Sequence, residues 1–174
     1  TVPGGTMALE GALAVPYATM RSAEALRYVA ENSSGEYTVI YTKTLPLQMG
    51  LFAIERMTAV AEDTGADMVY ADHYKIIGGQ KMRHPLIECQ SGALRDDFDF
   101  GSVLVFRTTS FRKAVRAMEN DRKWGALYDL RLRMKNIVHI NEYLYTEVET
   151  DNRKSGEKQF DYVDPKNRTV QVEM

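Results

Sequence analysis

The stretch DMVYADHYKIIGGQKMRH, residues 67 to 84, has the pattern of a β-hairpin and decides the kind of fold that we expect. Its first part, residues 67–74, has the apolar and aromatic character of a strand. Gly78-Gly79 is typical of a tight hairpin turn, and residues 80–84 would return antiparallel to the first strand. The hairpin therefore predicts a β-sheet at the centre of the fold.

Helices and further strands alternate around this hairpin. Apolar residues recur at helical spacing, which predicts helices over about residues 22–31, 48–63, 110–118 and 124–135, with Ser22 and Ser110 as N-caps of the first and third. Strands are predicted over about residues 37–42, 98–108 and 137–149. This order predicts one α/β domain over residues 1–150, with a mixed, mostly parallel sheet flanked by helices. The polar, charged residues 151–174 are predicted to form an extended tail.

Composition argues against several classes of function. The 174 residues carry a formal net charge of -2. There is no basic excess to release counterions from phosphates, so we expect no nucleic-acid partner. The single cysteine, Cys89, cannot form an internal disulfide, which favours a reducing compartment and predicts a cytoplasmic protein. No apolar run approaches the roughly 20 residues of a membrane span.

A dense acidic cluster, Arg95-Asp96-Asp97-Phe98-Asp99, lies beside the predicted strand 98–108. Carboxylates at the edge of a sheet suit sugar hydroxyls or a divalent cation, because both prefer oxygen ligands. The alternative is a solvated loop in which Arg95 pairs with one aspartate, for modest stabilisation. Both interpretations stay open on the sequence alone.

Three other positions are candidates for ligand contact. Asp72 and His73 end a strand, but neighbouring strand residues point to opposite faces, so we expect their side chains to diverge and assign no metal ligands. Asp72 alone is a candidate for binding a polar ligand. Trp124 is either an aromatic surface for a sugar ring or an anchor in the core. The basic residues at 131, 133 and 135 favour a helix C-terminus, so they are assigned no ligand.

Residues 35–150 resemble the catalytic domain of glycosyltransferase family 2, of the GT-A type. The resemblance rests on the order and spacing of four segments: DMVYAD at 67–72, GSVLVFR at 101–107, DLRLR at 129–133 and EYLY at 142–145. It implies a GT-A-like sheet in which the 37–42 strand lies beside the 67–74 strand, and Asp72 and the 95–99 loop share the rim where a donor binds. It also implies that nucleotide-binding units precede Gly35. Only 34 residues stand there, so we expect the chain to be a fragment.

The resemblance implies transfer of a sugar from a nucleotide-diphosphate donor to a saccharide or lipid-linked acceptor, as in polysaccharide biosynthesis. In such enzymes Mg²⁺ or Mn²⁺, held by a D-x-D motif, neutralises the leaving diphosphate, and a carboxylate deprotonates the acceptor. Here Thr42-Lys43-Thr44 stands at the D-x-D position and cannot supply two anionic ligands, although Lys43 could itself neutralise a phosphate. The usual base position, residues 125–128, holds no acid.

Three hypotheses follow for the function. In the first, the protein is a glycosyltransferase in which Asp96 and Asp97, or Asp72, are catalytic, and in which the substrate contacts Lys43, Asp72, Arg95 and Trp124. In the second, it is a catalytically inactive glycosyltransferase-like module for carbohydrate binding or assembly. In the third, it is an α/β scaffold without carbohydrate chemistry, whose tail at 151–174 docks on a partner or a second copy.

Overall fold

The computed structural model describes residues 21–43, 46–90, 92, 98–119 and 121–148. This part of the chain folds as an α/β domain with helices on both faces of a mixed sheet. The tail predicted over residues 151–174 lies outside the described residues. No helix in the described ranges is both long and apolar enough to cross a membrane.

Six strands and four helices alternate along the described chain. The strands, in chain order, are β1 Tyr37–Tyr41, β2 Leu47–Met49, β3 Met68–Ile77, β4 Gln80–His84, β5 Val103–Arg107 and β6 Ile137–Val148. The helices are α1 Ala23–Asn32, α2 Ala53–Thr64, α3 Thr108–Arg116 and α4 Ala126–Leu132.

The sheet has the order β1-β5-β3-β6-β2, and β4 pairs with β3 as the predicted hairpin. Of the pairs among the described strands, only β3 with β6 is parallel. The prediction of a mostly parallel sheet was therefore wrong. One reason is the two-residue turn between β3 and β4, because so short a connection forces antiparallel pairing.

The expected pairing of β1 with β3 was also wrong, because β5 lies between them. Val105 of β5 is opposite Val39 of β1 and also opposite Val69 of β3. Both pairs are antiparallel, so β1 and β3 point in the same direction without touching. The end of β1 therefore reaches the loop before β5 rather than the end of β3.

Helix boundaries follow local hydrogen bonds. Ser22 is the N-cap of α1, as predicted, and its Oγ accepts a hydrogen bond from the Ala25 amide at 3.2 Å. The predicted start of α2 near residue 48 was wrong, because Met49 belongs to β2 and pairs with Tyr145. The predicted cap Ser110 was also wrong, because Ser110 lies within α3 and its hydroxyl donates to Asp67 Oδ1.

Two apolar clusters cover the two faces of the sheet. One joins α1, α3 and α4 to Tyr70, Leu104 and Phe106, and the other joins α2 to Val69 and Val105. Alternate residues of β3 and β5 thus point into different clusters, as strand geometry requires. Because both faces are buried, these strands have continuous apolar runs rather than an alternating pattern.

Candidate functional site

A cleft of about 400 Å³ opens where β1 ends, on the side of the sheet that α1 and α4 cover. Thr42, at the end of β1, lies on one wall. Its amide and its hydroxyl both donate to the Ser102 carbonyl, at 2.9 and 3.3 Å, which ties the end of β1 to the start of β5. The other walls are the 98–101 loop, the first residues of α4 and Arg21.

Two arginines give this cleft positive charge. Arg21 precedes α1 and is exposed, whereas Arg131 lies in α4 with its Cζ 5.0 Å from the centre of the Phe100 ring. The Nε of Arg131 is buried and has no hydrogen-bond partner among the described residues. Burial, followed by the nearby charge of Arg21, lowers the pKa of Arg131 to about 10. Arg131 is still protonated at neutral pH, so the cleft favours an anion.

An aromatic wall faces the same space. Trp124 is 45% exposed and lines the cleft together with Tyr128 and Phe98. Trp124 is therefore not an anchor in the core, which was the alternative left open by the sequence. Its exposed indole is suited to packing against a sugar or a base.

Asp99 is the carboxylate that lines the cleft among the described residues. Its Oδ2 lies 2.8 Å from His84 Nε2, and its Oδ1 accepts a hydrogen bond from the Gly101 amide at 2.8 Å. Burial would raise the pKa of Asp99, but the hydrogen bonds from His84 and Gly101 outweigh it and lower the pKa below its ordinary value. Asp99 is therefore held as an anion at neutral pH.

The other members of the acidic cluster, Arg95, Asp96 and Asp97, lie outside the described residues. Asp99 belongs to the same cluster, and its position shows that the end of this cluster borders the cleft. From the sequence we predicted a site at this acidic cluster, with Asp96 and Asp97 rather than Asp99 as the catalytic candidates.

Lys43 does not line the cleft. Its Nζ donates to Glu147 Oε1 at 2.6 Å, and the same carboxylate oxygen lies 3.1 Å from His73 Nε2. The ring of His73 stacks on Tyr145, which belongs to the cluster on the α2 face. Lys43 therefore neutralises a buried carboxylate, and Thr42 rather than Lys43 faces the cleft.

The residues at the D-x-D position do not fit Mg²⁺ or Mn²⁺. Thr42 offers one neutral oxygen that already donates to a carbonyl, and Lys43 is a cation. The described part of the chain contains no group of three His, Cys, Asp or Glu residues that could hold a metal ion.

Asp72 and His73 diverge, as predicted. Asp72 is 4% exposed, and its Oδ1 accepts a hydrogen bond from the Leu86 amide and lies 2.8 Å from His139 Nε2. His73 instead lies beside Glu147. Asp72 thus holds the segment after β4 against β6 and is not among the residues that line the cleft.

Sequence reasoning missed the two arginines of the cleft. Arg131 was explained by its place near a helix C-terminus, which is a sufficient role for a basic residue. The sequence feature that could have identified Arg131 is its spacing from Leu127. The two residues are four apart in α4 and therefore share a helix face. Trp124, which was selected, precedes the same face.

Comparison with known proteins assigns no family to this chain. A scan against protein-family models finds no match, and a search of curated proteins finds no significant relative.

Proposed function

We propose that this chain is a glycosyltransferase-like domain that binds a nucleotide-diphosphate sugar in the cleft and transfers the sugar to an acceptor hydroxyl. The acceptor is a saccharide or a lipid-linked saccharide. The observation that carries the proposal is the cleft itself, which brings two arginines, an exposed tryptophan and an ionised aspartate together at the end of β1. Its volume of about 400 Å³ is that of a small-molecule site.

Each wall of the cleft matches one part of such a donor or of its acceptor. The arginine side suits the diphosphate, because guanidinium groups bind phosphate oxygens in pairs. The exposed indole of Trp124 suits the apolar face of a sugar ring. Asp99 is left for the acceptor hydroxyl rather than for the donor, because an ionised carboxylate can only accept hydrogen bonds. The segment order that resembles family 2 glycosyltransferases supports the same donor class.

Asp99 would serve as the base for the transfer. It takes the proton from the acceptor hydroxyl as the hydroxyl oxygen forms a bond to the anomeric carbon of the donor. The bond between that carbon and the diphosphate oxygen breaks, and the nucleoside diphosphate leaves with the electron pair. Asp96 and Asp97 stay candidates for the same role, as does Arg95 for contact with substrate, whereas buried Asp72 does not line the cleft.

A second candidate function is a module that binds carbohydrate without transferring it. This is favoured by Thr42 and Lys43 at the position where the resembling enzymes hold their metal, and by the absence of an acid from residues 125–128. The two functions share the cleft and differ only in turnover.

Binding and turnover together test the proposal. Calorimetric titration of the 174-residue chain with UDP-, GDP- and dTDP-sugars should give saturable binding for at least one donor. Release of the nucleoside diphosphate, measured with an acceptor saccharide, should fall at least a hundredfold in Asp99→Asn while binding stays. Asp63→Asn on α2, across the sheet from the cleft, is the matched control and should change neither quantity.

The outcomes separate the hypotheses. Binding without any release of nucleoside diphosphate would favour the inactive module. If neither a nucleotide sugar nor the acceptor saccharide binds, both carbohydrate functions are wrong, and the α/β scaffold hypothesis is the one left.

A further inference from the structure

We infer that Arg21 and Arg131 together bind the diphosphate of the donor, in the place that a divalent cation takes in the glycosyltransferases this chain resembles. The inference rests on the proposed function, and names the residues that hold the most strongly charged part of the donor.

The chain needs a substitute for the metal if a diphosphate is to leave. A diphosphate leaving group carries more than one negative charge, and cleavage adds another, so a nearby cation stabilises the transition state. Thr42 is neutral, and the charge of Lys43 is directed to Glu147 at 2.6 Å, away from the cleft. Thr42 and Lys43, the two residues of the D-x-D position that the structure describes, therefore cannot neutralise the charge of the diphosphate.

Arg131 has the unsatisfied donor capacity that a phosphate site requires. Its Nε is buried without a hydrogen-bond partner in the part of the chain that the structure describes. An unpaired buried donor on a charged group is costly, and an anion in the cleft that Arg131 lines would offset part of this cost. The Cζ of Arg131 lies 5.0 Å from the centre of the Phe100 ring, and both residues line the cleft.

Arg21 supplies the second charge. It lines the same cleft from the segment before α1, close enough to Arg131 that its charge lowers the pKa of that guanidinium. The two arginine charges repel each other. A bound anion attracts both guanidinium groups, and this attraction outweighs the repulsion between them. Asp99 is the carboxylate that lines the cleft among the described residues, and it already accepts hydrogen bonds from His84 and Gly101.

Inorganic pyrophosphate and UDP are the probes that test the arginine pair. Calorimetric titration of the 174-residue chain in EDTA should show both anions binding, and added Mg²⁺ should not tighten the binding of UDP. Arg131→Gln and Arg21→Gln should each weaken pyrophosphate binding at least tenfold. Arg131→Lys should recover only part of the loss, because lysine lacks the fork of donors.

Arg116→Gln is the matched control, because Arg116 is an exposed arginine at the end of α3 and does not line the cleft. It should leave both dissociation constants unchanged. Arg21 is exposed, so Arg21→Gln tests the site even if the substitution at Arg131 prevents folding, which circular dichroism would show.

The inference is overturned if UDP binds only when Mg²⁺ is present, or if both glutamine variants bind pyrophosphate as the wild type does. Failure of the proposed function has a different signature. Pyrophosphate would then bind through the two arginines, but no nucleotide sugar would bind or turn over.

Discussion

The ion pair between Lys43 and Glu147 decides whether Lys43 is structural or available to a ligand. The Glu147 side chain is 2% exposed and that of Lys43 is 29% exposed. Burial would raise the pKa of Glu147, but nearby His73, whose Nε2 lies 3.1 Å from Oε1, and the hydrogen bond from Lys43 outweigh burial and lower the pKa from 4.5 to about 2. That change corresponds to about 3 kcal/mol in favour of the ionised carboxylate in the folded state. Lys43 is one of several groups that produce this change, so its own contribution should be a part of it, on the order of 1–2 kcal/mol.

A double-mutant cycle measures this contribution. The variants are Lys43→Met, Glu147→Gln and the two combined, and the assay is urea unfolding at pH 7 followed by circular dichroism. We expect a coupling free energy of about 1–2 kcal/mol, and the single variant Lys43→Met to cost more, because it leaves a buried carboxylate without its ammonium partner.

Arg56 and Glu142 provide the matched control, since this ion pair is also short, at 2.6 Å, but its side chains are 49% and 45% exposed. Its coupling free energy should be much smaller than that of Lys43 with Glu147, as is typical of solvent-exposed pairs. A coupling between Lys43 and Glu147 no larger than that of the control pair would refute the reasoning, and would make Lys43 a candidate for binding phosphate again.

Three further predictions concern stability. Because the pKa of Glu147 is lower in the folded chain than in the unfolded chain, its contribution is present above pH 4.5 and is lost as pH falls towards 2. Between pH 7 and pH 3.5 the wild type should therefore lose about 1 kcal/mol more unfolding free energy than Glu147→Gln, measured with urea at both pH values. Gly101 has φ +71°, and a Cβ there would lie 2.2 Å from a tyrosine hydroxyl, so Gly101→Ala should lower the melting temperature far more than Gly79→Ala, where φ is +82° and the space is open. Equal shifts for the two glycines would contradict the steric argument. Leu130→Ala should cost about 2–5 kcal/mol in urea unfolding because Leu130 is fully buried, whereas Leu132→Ala in the same helix, 46% exposed, should cost much less.

Local features of the fold could be predicted from the sequence. The cap at Ser22, the hairpin at residues 78–79 and the extents of α1 and β6 depend on neighbouring residues, and the structure confirms them. The strand order could not be predicted, because insertion of β5 between β1 and β3 depends on pairing between distant segments. The predicted start of α2 was wrong for a related reason. Met49 forms a strand pair with the distant residue Tyr145 instead of joining the helix beside it in sequence.

The candidate site was only partly predictable. Trp124 and the acidic cluster were selected because their residue types are unusual where they stand, and Trp124 and Asp99 do line the cleft. Lys43 was assigned to a ligand because the sequence could not show that Glu147, 104 residues later, needed a partner. Arg131 was passed over because a basic residue near a helix C-terminus has a sufficient local reason to be there.

The fluorescence of Trp124 tests the central claim most directly, because it is the only tryptophan in the 174-residue sequence and it lines the cleft. Titration with a nucleotide sugar that binds by calorimetry should change the Trp124 emission saturably, with the same dissociation constant, and Arg131→Gln should shift both curves together. Saturation by calorimetry with no change in Trp124 emission would place the donor elsewhere on the protein and contradict the account.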